Sequence, residues 1–206
     1  RTLLDIQAVL FRPEDPFTFT SGRRSPVYVD CRRIISFPRA RQLLMDLAVG
    51  QLAQAVGPEA FDAVAGGETA GIPFAAWMAD RLGLPMVYVR KKPKGFGRNA
   101  LIEGTFSEGA RVLLVEDLAT DGGSKLSFVE ALRDAGAEVA HCFVVFHYGI
   151  FPEGIATLEA AGVKLPALCT WWDALADAEA RHYLTDEGTA QVRRFLNDPE
   201  GWAEKL

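Results

Sequence analysis

Val112-Leu113-Leu114-Val115-Glu116-Asp117-Leu118-Ala119-Thr120-Asp121-Gly122-Gly123-Ser124 reads in order as a buried strand, a carboxylate pair, a glycine turn, a hydroxyl and the start of a helix. The four apolar residues in a row suit a strand covered on both faces, as in parallel sheets. Glycines after it let the backbone approach a ligand closely. The N–H groups that open the next helix can meet phosphate oxygens, and the helix dipole favours their charge. Adjacent carboxylates repel a bare phosphate, but they accept hydrogen bonds from sugar hydroxyls and can help to hold magnesium. The mixture points to a phosphorylated sugar. Taken alone, the stretch also fits an ordinary strand-to-helix loop in which Asp121 and Ser124 are turn and cap residues.

The pattern around this stretch repeats it. Helical spacing at Leu44, Leu47, Ala48 and Leu52, begun at Pro38 and closed by Gly57, precedes an apolar run over 61–65. A helix over 72–82, begun near Pro73 and closed by Gly83, leads to a strand over 86–89. The strand at 112–115 and another over 139–146 flank a helix carrying Leu126, Val129 and Leu132. Alternation of this kind predicts an α/β fold with a central parallel sheet flanked by helices, and it puts ligands at the carboxyl ends of the strands. Before residue 38, Pro13 and Pro16 break any helix after Leu3, Ile6 and Leu10, and 17–30 reads as strand, Ser-Gly turn, strand. Helices are expected near 155–161, 171–178 and 187–196, with Trp171, Trp172 and Trp202 as packing residues. With 206 residues and 49% apolar content, a single domain over 1–206 is expected. Its parts are an N-terminal piece over about 1–35, a core over about 36–170 and a helical tail over about 171–206.

Charge and cysteine usage narrow the partners. Lys and Arg number 22 against 27 Asp and Glu, a net charge of -5 that gives no general attraction to nucleic acid or to an anionic membrane. Cys31, Cys142 and Cys169 form no CxxC pair, which argues for a reducing, cytoplasmic setting and against structural zinc. No apolar run approaches the roughly 20 residues that span a bilayer, and no signal-peptide pattern stands at the start. Arg1 in place of Met leaves room for residues upstream. Any anion site is therefore local, and one stretch supplies the charge. Val89-Arg90-Lys91-Lys92-Pro93-Lys94-Gly95-Phe96-Gly97-Arg98 sets five cations directly after a strand, interleaved with proline and glycine, as a loop able to close over a diphosphate. Neither a Walker lysine motif nor GxGxxG is present.

The stretch from Val112 resembles the phosphoribosyl-diphosphate motif of the type I phosphoribosyltransferases: a hydrophobic strand, two acids and a short Thr/Gly-rich turn. The first acid here is Glu116 rather than the commoner Asp, and Asp121 adds a negative charge where that loop is usually neutral. Three further pieces stand in the family order: Phe17-Thr18-Phe19-Thr20-Ser21-Gly22 with Ser25-Pro26, Gly66-Gly67-Glu68-Thr69-Ala70-Gly71-Ile72-Pro73, and the basic stretch. Together they are similar to the orotate phosphoribosyltransferases. The resemblance implies a type I phosphoribosyltransferase-like fold whose N-terminal piece is a hood over the base. It also implies transfer of phosphoribose from phosphoribosyl diphosphate to orotate, giving orotidine monophosphate in pyrimidine synthesis.

Carried onto this chain, the resemblance places Glu116, Asp117, Leu118, Ala119, Thr120, Asp121, Gly122, Gly123 and Ser124 around the ribose 5-phosphate and the ribose hydroxyls, with Thr120 also near orotate. Thr69 and Ala70 would lie in the diphosphate loop, and Arg90, Lys91 and Lys94 would contact the diphosphate. Tyr28 and Val29 would lie beside the base, and Lys94 and Asp117 would carry the chemistry. It further implies Mg2+ as cofactor and a homodimer with shared active sites. Departures bear on the base. Phe96 stands where His is common in the family, Ala70 where Lys is common, Thr20 where a basic residue is usual, and His147-Tyr148 where many members have Asp-Arg. The carboxylate of orotate then needs another partner, for which Arg23, Arg24, Arg32 and Arg33 are candidates. A phosphoribosyltransferase for a different base is the alternative, and a noncatalytic ligand sensor on the same fold is a third reading.

Overall fold

In the computed structural model, which describes residues 1–93, 101–120 and 123–203, strands and helices alternate after residue 38 as the apolar spacing predicts, with one added two-residue strand at Ile102–Glu103. Contacts divide the chain into two units: residues 1–40, 148–150 and 169–206 in one, and residues 41–147 and 151–168 in the other.

The first unit begins with α1 (Thr2–Asp5), β1 (Val9–Phe11), β2 (Phe17–Thr18), β3 (Arg24–Ser25) and β4 (Val27–Val29). β1 pairs antiparallel with β4, and β2 with β3 around a turn at Gly22, whose positive φ of 82° suits glycine. The expected pair of strands over 17–30 is thus broken at Pro26, and its second half pairs back to β1. A 3-10 helix (Cys31–Ser36) follows, capped by the Asp30 carboxylate, which accepts from the Arg32 N–H at 3.1 Å.

α2 (Pro38–Val56), β5 (Ala63–Gly67), α3 (Gly71–Leu82), β6 (Met86–Val89), β7 (Ile102–Glu103), β8 (Arg111–Ala119), α4 (Gly123–Asp134), β9 (Glu138–His147), α5 (Pro152–Ala160) and β10 (Ala167–Thr170) come next. Their strands form a sheet in the order β10-β9-β8-β5-β6-β7, parallel at β9-β8-β5-β6 and antiparallel at β6-β7. β5 is buried along its whole length, as are Val112 to Glu116 of β8, and within them residues 63–65 and 112–115 are continuous apolar runs. α3 lays down Phe74, Ala75, Met78 and Ala79, and α4 lays down Phe128, Val129 and Leu132. Side chains such as Phe74 and Leu132, fully removed from water, each contribute roughly 1.5–3 kcal/mol. Gly83 ends α3 in the left-handed conformation at φ 65°. No helix among the described residues is long and apolar enough to cross a membrane.

The tail runs through α6 (Trp171–Ala180), α7 (Asp186–Asn197) and α8 (Pro199–Ala203), and it belongs to the first unit. Thr170 and Asp173 close a reciprocal capping box on α6. Trp171 is fully buried, with its ring edge-on to Phe11 at 5.9 Å. Trp202 packs on Phe195 at 5.4 Å, whereas Trp172 is 36% exposed.

Candidate functional site

β8 does not stop where its apolar run stops. The sequence reading ends the strand at Val115, but the ladder to β9 continues through Glu116↔Val144, Leu118↔Phe146 and Ala119↔His147. Both acids and the next two residues are therefore strand residues. Ala119 is fully buried, which leaves a ligand its backbone only. Asp117, Leu118 and Thr120 are half-buried at the carboxyl end of the strand. Gly123 and Ser124 open α4. Lys94, Asp121 and Gly122 lie outside the described residues.

Glu116 lies deeper than an exposed sugar ligand. It is 6% exposed, its Oε2 lies 3.9 Å from the Lys125 ammonium, and its Oε1 meets no hydrogen-bond donor among the described residues. Two glycines make room for this carboxylate. A Cβ on Gly67 would meet Oε1 at 1.7 Å, and one on Gly71 would meet it at 2.8 Å and the Val115 carbonyl oxygen at 2.5 Å. Lys125 escaped the sequence reading although its signal is present. It shares a helical stripe with Phe128, Val129 and Leu132, so a charge falls on the face that α4 buries.

Burial raises the Glu116 carboxyl to about 7, against the pull of Lys125 and with a further push from Asp117, while Lys91 also pulls it down. A carboxyl that keeps its proton to about pH 7 in the native state, against 4.5 ordinarily, confers stability that is full below pH 4.5 and lost as pH rises through 7. Glu116→Gln is therefore expected to remove that decline. Thermal melts of both proteins from pH 5 to 8 check this, and parallel pH curves would contradict it.

The turn after β5 faces the same strand ends. Thr69 is exposed and Ala70 half-buried, and the Thr69 carbonyl accepts from Ile72 N–H at 3.4 Å as α3 begins. Glu68 N–H donates to the Val89 carbonyl at 2.9 Å, and the Glu68 carboxylate accepts from Lys91 N–H at 2.7 Å. Arg90 is tied down. Its N–H donates to Leu101 carbonyl at 2.7 Å, its Nη1 lies 3.3 Å from Glu103 Oε1 and its Nε donates to the Lys92 carbonyl at 3.3 Å. Its guanidinium is thus already engaged beside the expected diphosphate position, whereas the Lys91 side chain is exposed. Next to these residues a cleft of about 220 Å³ is lined by Arg90, Lys91, Leu101, Ser127, Phe128 and Ala131.

In the first unit Tyr28 is half-buried, with its ring 5.4 Å from that of Phe17 and 6.2 Å from that of Phe19, while the Val29 side chain is buried. Two of the four candidate arginines are committed to this unit. Arg32 pairs with Asp30 at 2.7 Å, and Arg33 donates to the Ile6 carbonyl at 3.1 Å. The Tyr148 phenol is pushed up to about 12 by burial, with Cys31 and Tyr28 adding to it, and its ring lies edge-on to Trp171 at 5.6 Å. His147 of β9 is buried, which lowers its pKa. Neither residue brings positive charge at neutral pH, so His147-Tyr148 does not reproduce the cation of an Asp-Arg pair.

Comparison with known proteins agrees with this geometry. The Phosphoribosyl transferase domain family matches residues 36–157. The orotate phosphoribosyltransferase of Cereibacter sphaeroides is 63% identical over 205 residues, covering 99% of this chain and 88% of that protein. The crystal structure of orotate phosphoribosyltransferase from Aeropyrum pernix superposes with a TM-score of 0.73 at 32% identity, covering 89% of this chain and 97% of that one. That of Mycobacterium tuberculosis H37Rv, in complex with 5-phospho-alpha-D-ribosyl 1-diphosphate, gives 0.65 at 29% identity over 84% of this chain and 94% of its own. Since 63% identity extends over 99% of the chain and the family model matches residues 36–157, the chain belongs to the orotate phosphoribosyltransferase family.

Proposed function

We propose that the chain transfers phosphoribose from phosphoribosyl diphosphate to orotate, yielding orotidine monophosphate and diphosphate in pyrimidine synthesis. The observation that carries this reading is the convergence of the half-buried Asp117, the Gly67–Gly71 turn and the Lys91 stretch on the carboxyl ends of adjacent strands. The Mycobacterium tuberculosis relative, which holds the same sugar diphosphate, supports the substrate. Naming of the Cereibacter sphaeroides relative as an orotate phosphoribosyltransferase favours orotate over another base.

In this reading the bond from ribose to the departing diphosphate breaks as the ring nitrogen of orotate bonds to the same carbon. Positive charge develops on the ribose and negative charge on the leaving oxygens, so fixed charges can supply most of the catalysis and no nucleophilic side chain is needed. Asp117 accepts from the ribose hydroxyls and faces the developing cation. N–H groups over residues 120–124 hold the 5-phosphate at the start of α4. Thr69, Ala70, Lys91 and Lys94 serve the diphosphate, with Arg90 fixing the backbone beside them, and Tyr28 and Val29 belong to the base side. Hard oxygen donors suit magnesium, and the Asp117 carboxylate beside the buried Glu116 offers them. When bound with the diphosphate, that ion neutralises charge on the departing oxygens. The same reading makes the enzyme a cytoplasmic homodimer in which Lys94 serves the neighbouring subunit's substrate.

The test is direct. Protein is incubated with magnesium and phosphoribosyl diphosphate, orotate, uracil, hypoxanthine and adenine are offered separately, and nucleotide formation is followed by chromatography. Product with orotate alone is expected; product with another base and none with orotate would overturn the reading. Chelation is expected to abolish activity and added magnesium to restore it. Tightly bound zinc together with activity that survives magnesium removal would contradict the metal assignment.

A further inference from the structure

Two stretches that the proposed reaction places on the diphosphate are joined through one side chain. β5 and β6 are neighbours in the sheet, with Gly67 opposite Val89. Beyond Gly67 the chain turns away toward α3, but Glu68 N–H still donates to the Val89 carbonyl at 2.9 Å. The Glu68 carboxylate then accepts from Lys91 N–H at 2.7 Å, two residues further along the neighbouring chain. The side chain thus supplies an acceptor that a continuing strand would have supplied from its backbone. A bond of this length to an ionised acceptor is of the strong, charge-assisted kind.

The location sharpens the point. A carboxylate beside a diphosphate site works against the ligand by simple repulsion, so its presence there requires an offsetting benefit. Glu68 is half-buried and Lys91 exposed, so the bond carries little of the core's stability. Arg90, between the two bonded residues, is held on its other side by Leu101 and Glu103. The backbone from Val89 to Lys91 is therefore pinned from both neighbours, and the direction in which Lys91 projects depends on Glu68.

We propose that Glu68 is a positioning residue: by holding the Lys91 N–H it keeps the diphosphate turn and the start of the basic stretch in one register and aims the Lys91 side chain at the diphosphate. The identity of the ligand rests on the function proposed above; the link itself does not.

Two variants and two readouts test it. Glu68→Ala removes the acceptor, and Glu68→Gln keeps an oxygen able to accept from Lys91. Calorimetry in magnesium is expected to show affinity for phosphoribosyl diphosphate falling about tenfold in Glu68→Ala. It should recover to within about threefold in Glu68→Gln, with the melting temperature of both within about 2 °C of the native protein. Exchange of the Lys91 amide proton is expected to be slow in the native protein and in Glu68→Gln, and fast in Glu68→Ala. Unchanged or tighter binding in Glu68→Ala, which would mark the carboxylate as merely repulsive, overturns the proposal, as does an unprotected Lys91 amide in the native protein. Neither readout needs turnover of orotate, so failure of the functional reading appears separately, as binding without nucleotide formation.

Discussion

Asp117→Asn is expected to lower turnover by roughly 10²–10³-fold, the usual cost of removing one preorganised electrostatic group from a reacting centre. The amide keeps the shape at the end of β8, where the side chain is only half-buried, so the melting temperature should stay within about 2 °C. Steady-state assays against phosphoribosyl diphosphate, run beside thermal melts, separate the two effects. Full activity in the variant would remove the acid pair from the chemistry. The same variant tests the shared-site arrangement when mixed with Lys94→Ala chains. If loop and acid come from different subunits, one site in each mixed dimer carries both defects and the other neither, and activity returns in part. If mixed dimers form and nothing returns, Lys94 serves its own subunit.

Gly71→Ala is expected to cost about 3 kcal/mol or more of stability, a fall in melting temperature on the order of 10 °C. The obstacle is backbone. A Cβ there would come within 2.5 Å of the Val115 carbonyl oxygen, which belongs to a strand paired on both sides and cannot withdraw without opening a ladder. Gly67→Ala should also be costly, because its Cβ would drive into Glu116 Oε1 and come within 2.6 Å of Phe128. Gly50→Ala is the control. Gly50 lies within α2 with no positive φ and nothing within 4 Å of an added Cβ, so alanine should be neutral or stabilise by up to about 1 kcal/mol. Equal melting temperatures for Gly71→Ala and Gly50→Ala would refute this account of the turn.

Long elements whose apolar residues keep one period were legible in the sequence. α3 begins one residue before its predicted start and ends at Leu82, and β6 has the predicted ends. The sequence reads β8 short because Glu116 looks like the end of an apolar run, whereas a proton held to about pH 7 and the buried partner Lys125 let this acid continue the strand inside. β7 and β10 went unread for a different reason: they hold two and four residues, all half-buried, and give no period to detect. Membership of the tail in the same unit as residues 1–40 is a non-local fact, settled by packing such as Phe11 on Trp171. At the site, residue types were legible and pairings were not. Lys125 left a trace on the buried stripe of α4, whereas Glu68 left none, since its partner is a backbone N–H that any residue but proline would offer. Arg90 carries the expected charge, but Glu103, which holds it, lies on a strand too short to predict.

The antiparallel pairing of β6 with β7 has an evolutionary corollary. Tyr88↔Glu103 and Val89↔Ile102, with the Arg90–Leu101 bond beyond them, fix Arg90 and Leu101 as neighbours at the edge of the sheet. Closing a chain between two fixed points grows dearer only with the logarithm of its length, by about 0.6 kcal/mol for each doubling. Lengthening the chain between these two fixed points therefore adds little closure cost to the ladder that joins them. Chain length at this edge is thus free to vary among proteins of this scaffold without opening the β6–β7 pair.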